Sequence, residues 1–172
     1  MDVKQALKRY MGQPTAFRTA FAAFLYLLMA TRVFGLLAIE SDNLIDLRLF
    51  FSRETFFAVI EGQAVTCRDC HLAFHFMDLL FVLTFYPLLA GFARKLCRDT
   101  RFFAVSALLA GLMDLTENLG TDLSLLLHPH RHGILAMMVQ IATPLKFALL
   151  GLALAGSLVM VGLRYLRHRT SG

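Results

Sequence analysis

Charge is scarce in this chain. Of its 172 residues only 17% are Asp, Glu, Lys or Arg, while 58% are hydrophobic, and the mean hydropathy is +0.63. A soluble domain of this length carries about a quarter charged residues and just under half apolar ones. The composition therefore excludes an ordinary soluble globule, and lipid or partner proteins must cover the excess. A basic soluble face is also missing. The formal net charge is +5, but the Lys and Arg residues gather at the ends of apolar stretches, which argues against nucleic acid as a partner and reads as a membrane-orientation signal. There is no internal repeat and no low-complexity tract. No cleavable signal peptide is evident, because the apolar stretch after the basic N-terminus is long enough to span and reads as a retained helix.

Four long apolar stretches are present, at approximately 16–39, 72–92, 102–127 and 133–163. Each reaches the roughly 20 residues needed to cross a hydrocarbon core. They predict an all-α, polytopic membrane protein, a four-transmembrane-helix bundle forming one domain over 1–172. The Ala-Gly-rich end of the last stretch (Gly151, Ala153, Ala155, Gly156) suits close helix packing. Basic residues set the orientation. Lys4, Lys8, Arg9 and Arg18 open the first stretch, Arg94, Lys95, Arg98 and Arg101 crowd the link between the second and third, and Arg164, Arg167 and Arg169 follow the fourth. The other two links are leaner, so both termini are expected in the cytoplasm and the protein in the inner (plasma) membrane. The outer link at 40–69 is acidic yet rich in Phe and Leu. Ser52 can cap a short helix starting near Arg53, and this amphipathic loop is expected to lie on the outer interface or fold over the bundle mouth.

Ionisable side chains at bilayer depth are expensive unless paired, so each is a functional candidate. They are Asp78, Asp114, Glu117 and Lys146. At ~1.5 Å per residue, Asp78 lies roughly 10 Å below the outer end, Glu117 roughly 15 Å, and Asp114 and Lys146 roughly 18 Å. All four can therefore face one outward-opening cavity. Asp114, Glu117, Asn118 and Thr121 show i, i+3, i+4, i+7 spacing, a polar stripe on an apolar helix. Gln140, Thr143, Lys146 and Phe147 share a face in the same way. Pro144 and Pro87 each remove a backbone donor and free the carbonyl of Gln140 or Leu83. Three acids around one base carry excess negative charge, so one carboxyl, Glu117 or Asp78, is expected to hold a proton near neutrality. Asp78, Asp114, Glu117 and Lys146 are thus the candidate catalytic residues, with Asn118, Gln140 and Thr143 as candidate ligand contacts. A structural Asp–Lys pair that fixes helix register is the alternative.

Cys67-Arg-Asp-Cys70-His71 matches the CxxCH pattern of covalent haem attachment. Cys67, Cys70, His71, His75 and Asp78 have helical spacing at the outer end of the second stretch, and His128, His130 and His132 lie in the next outer link. Three readings stay open: a metal or haem site on Cys67, Cys70, His71 and His75, a redox-active dithiol, or an inert disulfide in an oxidising compartment. The layout resembles the bacterial quinone-linked disulfide-forming membrane proteins, but a second outer cysteine pair is missing.

The runs Ile45–Ser52, Met77-Asp78-Leu-Leu-Phe81 with Tyr86, Met113-Asp114-Leu-Thr-Glu117-Asn118 and Thr143-Pro-Leu-Lys146-Phe147 resemble a family of small, uncharacterised bacterial four-helix membrane proteins. That family reads approximately D-x-x-F, D-x-x-E-N and T-x-L-K-W, and Phe147 stands here at the Trp position. The resemblance supports the site without naming a reaction. A weaker likeness of layout is to the EXPERA-domain proteins, the emopamil-binding sterol isomerases and the sigma-2 receptor, in which Asp78 would take the place of an acidic residue above a sterol-sized cavity.

Together these readings predict a site that binds, and can isomerise, a small apolar or lipid-like ligand, with membrane lipid as the surrounding partner and no firm cofactor. The alternatives are an outer-face redox or metal/haem protein and a non-enzymatic membrane assembly factor.

Overall fold

The computed structural model describes residues 21, 23–24, 26–28, 30, 48–97 and 101–170, with backbone alone at 67, 161, 164–165 and 167–170. Every described residue between 21 and 30 is helical. The rest of the first apolar stretch, and the N-terminal basic cluster, lie outside the described residues. Three complete helices come after it: α1 (Arg53–Leu96), α2 (Phe102–Leu126) and α3 (Gly133–Thr170). Among the described residues there is no strand. Each helix contains a stretch long and apolar enough to cross a membrane: Arg68–Leu96, Phe102–Leu126 and Gly133–Met160.

Ser52 caps α1 as its sequence position predicts, its hydroxyl accepting from the Thr55 amide at 3.1 Å. The helix it opens is not a short surface helix. α1 runs unbroken for 44 residues, through Pro87, roughly 66 Å of rise. The expected amphipathic loop at 40–69 is therefore corrected over its second half, which is the opening of α1. The reason is burial. Phe56, Phe57, Val59 and Ile60 form one apolar cluster with Leu125 of α2 and Ala136 and Val139 of α3, so this segment closes one end of the bundle rather than lying on an interface. Gln140 holds the chain just before it, donating from Nε2 to the Phe51 carbonyl at 2.9 Å. Arg53 packs onto Gly133, where a Cβ would collide with its guanidinium.

α2 is the central helix in burial. Ala104, Ala107, Ala110, Gly111, Asp114, Glu117, Asn118, Thr121, Ser124 and Leu125 are all buried, most of them at three- and four-residue intervals, while Leu108, Leu112, Leu119, Leu123 and Leu126 are exposed on the opposite side. One face is for packing and the other is left for lipid or a partner. The other end of the bundle is sealed by small residues: Ala90 and Ala93 of α1, Ala104 and Ala107 of α2 and Ala153 of α3, with Leu89. In the Ala-Gly stretch of α3 only part of the expected packing is seen. Gly156 lies against the Phe103 ring, which leaves no room for a Cβ, whereas Gly151 faces open space and Ala155 is exposed.

Candidate functional site

Asp114 is the midpoint of α2, and Lys146 is close to the midpoint of the apolar part of α3. Both are buried, as is Glu117. Their equal depth, expected from counting residues, brings them into contact. Lys146 Nζ donates to Asp114 Oδ1 at 3.0 Å and lies 2.5 Å from Glu117 Oε2. Asp114 and Glu117 are one turn apart on one helical face, so a single ammonium from the facing helix reaches both.

The remaining oxygens are also engaged. Tyr86 of α1 donates its hydroxyl to Asp114 Oδ2 at 2.7 Å. Thr143 of α3, one turn before Lys146, donates to Glu117 Oε1 at 2.8 Å. The centre thus draws on all three complete helices. Two carboxylates and one ammonium carry one net negative charge when all are ionised. Buried ion pairs of this kind are tolerated because added hydrogen bonds satisfy the leftover lone pairs.

Beyond the centre, toward the Arg68 end of the span, two further contacts join α1 to α2. Asn118 Nδ2 donates to Asp78 Oδ2 at 2.7 Å, and His75 Nδ1 lies 2.5 Å from Asp122 Oδ1. With Tyr86–Asp114 they form a ladder in which residue numbers rise along α1 and fall along α2, as antiparallel helices require.

Asp78, Asp114, Glu117, Lys146, Asn118 and Thr143 are therefore brought into one connected region, with Asp78 adjoining the centre through Asn118. Gln140 is not drawn in. It is half-buried, and its Nε2 holds the Phe51 carbonyl. Phe147 is exposed, although the Lys146 ammonium stands 5.1 Å from its ring centroid. Two members of the region are not singled out by sequence reasoning. Tyr86 enters there only through a resemblance, though its spacing of eight residues from Asp78 is a usable signal. Asp122, one turn after Asn118, extends the stripe of α2 in plain view.

The cysteine–histidine group is described only in part. Cys70 is disulfide-bonded, and the Cys67 side chain lies outside the described residues. His71 and His75 are buried, and His75 turns to Asp122. Among the described residues no group of three or more His, Cys, Asp or Glu is placed to hold a metal ion. Cys97 is free and buried.

No family model, no curated protein and no solved structure matches the chain.

Proposed function

We propose that the chain is a multi-pass protein of the inner (plasma) membrane, with four spans and both termini in the cytoplasm, that binds the polar end of a small apolar or lipid-like ligand at the Asp114–Lys146–Glu117 centre. Three apolar helices of spanning length support the membrane assignment, and the Lys/Arg bias supports the orientation. The observation that carries the ligand reading is the meeting of two acids and a lysine, buried at mid-span. Fixing helix register needs one polar contact, and this centre has several.

The surroundings suit an amphiphile. A groove of about 190 Å³ is lined by Phe21, Phe24, Phe85, Leu88, Leu89 and Phe92. Phe85 stands edge-on to Tyr86 at 5.1 Å, and Tyr86 holds Asp114. A hydrocarbon body in that groove would lie one aromatic layer from the centre. The net negative charge of the two acids and one lysine favours a ligand whose polar end is cationic or a hydrogen-bond donor. If the ligand is a substrate, a carboxyl and the lysine can pass a proton to and from it, as an isomerisation requires.

Mass spectrometry of small molecules retained by the purified protein tests this, comparing wild type with Asp114→Asn and Lys146→Met. An amphiphile retained by wild type and lost from both variants is the expected result. Equal retention in all three, or none in wild type, overturns the reading.

A redox role is the second reading, and one observation favours it over haem or metal: the sulfur of Cys70 is in a disulfide and so is not available as a thiolate ligand. Alkylation of Cys70 without prior reduction, together with a Soret band in the purified protein, would reverse that order.

A further inference from the structure

Buried polar side chains are unevenly spread along the bundle. Among the described residues, those toward the Leu96 end of α1 are only Ser106 and Ser157, set beside the alanine-rich cluster of Leu89, Ala90, Ala93, Ala104, Ala107 and Ala153. From mid-span toward the Arg68 end they are numerous, and they include every buried His, Asp, Glu and Lys. One half of the span is poor in buried polar groups and the other is rich in them.

The polar half has two further properties. First, two buried atoms there lack protein partners, against Ser157 Oγ alone toward the Leu96 end. Asn118 Oδ1 and His71 Nδ1 are buried and make no hydrogen bond, although Asn118 donates from its other terminal atom to Asp78. Buried polar groups without a protein partner are the places where ordered water resides. Second, Asp78 and Asp122 are only half-buried, within stretches long and apolar enough to cross a membrane. Hydrocarbon cannot solvate the exposed part of a carboxylate at such depth, and water between the helices can serve it beside its protein partners. The ladder then leads inward from these half-buried acids. His75 stands beside Asp122, Asn118 beside Asp78, and one turn further along α2 lie Glu117 and Asp114 with Lys146. Tyr86 closes the path on α1.

We propose that a file of water enters between α1 and α2 at Asp122 and Asp78 and brings protons to the Asp114–Glu117–Lys146 centre from that end alone. The inference rests on the centre being the functional site, and it adds the side from which that site exchanges protons. Each transfer is a hop along a hydrogen bond, in which a water or carboxylate accepts a proton on one side and releases one on the other, with no change in oxidation state. The apolar cluster at the Leu96 end prevents the file from crossing the span, so the protein gives one compartment access to the centre without leaking protons.

X-ray hydroxyl-radical footprinting of the full chain in lipid nanodiscs, read by mass spectrometry, tests this, because radicals form from waters held beside the side chain that is oxidised. Tyr86 is 3% exposed, while Phe103, packed against the alanine-rich cluster, is partly buried. After correction for intrinsic reactivity, Tyr86 is expected to be oxidised several-fold more than Phe103. Asn118→Leu should lower oxidation at Tyr86 and leave His71 unchanged, and Asn118→Ser should restore it. Tyr86 labelled no more than Phe103, or labelling unaffected by Asn118→Leu in a variant with wild-type circular dichroism and melting, overturns the proposal. The wild-type comparison decides the matter alone if Asn118→Leu does not fold. Footprinting needs no ligand, so loss of the path with ligand retention intact counts against the path only. A footprint without retained ligand counts against the ligand reading only.

Discussion

Tyr86 packs the base of its ring against Gly111, so close that a Cβ at that glycine would sit 2.8 Å from the ring, and from this position its hydroxyl reaches Asp114 one turn along α2 at 2.7 Å. The missing side chain and the hydrogen bond belong together, because the ring can reach the acid only by lying on bare backbone. Gly111→Ala is therefore expected to lose about 1–3 kcal/mol through overpacking, and to disturb the Asp114 contact. Gly151, with nothing within 4 Å of a built Cβ, is the control, and its change to Ala should gain up to about 1 kcal/mol from helix propensity. Thermal melting of the two variants in one detergent checks the contrast. A Gly111→Ala protein as stable as Gly151→Ala would contradict the packing.

Lys146 is the only cation within contact of the two buried acids in the centre, among the described residues. Lys146→Met leaves those acids facing each other without it, and should destabilise the bundle by about 3–5 kcal/mol, the usual result of removing one partner of a buried ion pair. Neutralising the acids as well, in Lys146→Met/Asp114→Asn/Glu117→Gln, should recover most of that loss. Melting temperatures of the single and triple variants check this, and a triple variant no better than the single one would be the failing outcome.

His75 and Asp122 differ from Arg131 and Glu61 in what surrounds them. The first pair is 2.5 Å apart with side-chain exposures of 2% and 30%, and the second is 3.2 Å apart with exposures of 64% and 57%. Double-mutant cycles should give a coupling of roughly 1.5–3 kcal/mol for the first pair and roughly 0–1 kcal/mol for the second. Equal couplings would show that burial does not strengthen the rung.

Glu54 stands in the first turn of α1, where backbone amide donation, then the Ser52 hydroxyl, holds its carboxyl below the ordinary value of 4.5. The folded value being depressed, the charged carboxylate favours the folded helix above about pH 4.5, and this advantage is lost as pH falls through the lower folded-state value. The stability difference between wild type and Glu54→Gln should therefore shrink as pH is lowered from about 6 to about 3. A difference that stays constant across that range, measured by denaturant titration, would contradict the cap.

Legibility in the sequence tracked the range of the interactions. The limits of α2 were readable to within a residue, 102–127 against Phe102–Leu126, because a charged link and a His-Pro-His-Arg-His run bound it on either side. The polar stripe Asp114, Glu117, Asn118 and Thr121 was readable because helical periodicity alone puts those residues on one face. The start of α1 at Arg53 was readable from Ser52. Its continuation past 61 was not, since acidic and aromatic residues between 53 and 69 suit a surface loop as well as a helix, and only packing against Leu125, Ala136 and Val139 decides between them. Gln140 illustrates the same limit from the other side. Its face was foreseen, but its amide goes to Phe51, a partner 89 positions away.

By itself, then, the chain's order of residues determined that it must form long apolar helices, where two of them start, and at what level along them Asp114 and Lys146 lie, because these depend on composition and on about 1.5 Å of rise per residue. Tertiary structure alone decided that Lys146 would reach two acids, that Tyr86 would join them across Gly111, that His75 would find Asp122, and that the alanines of three helices would gather at one end of the span. Each of these depends on the rotation and approach of one helix against another, which is set by the small residues at their contact faces and by no property of a single helix.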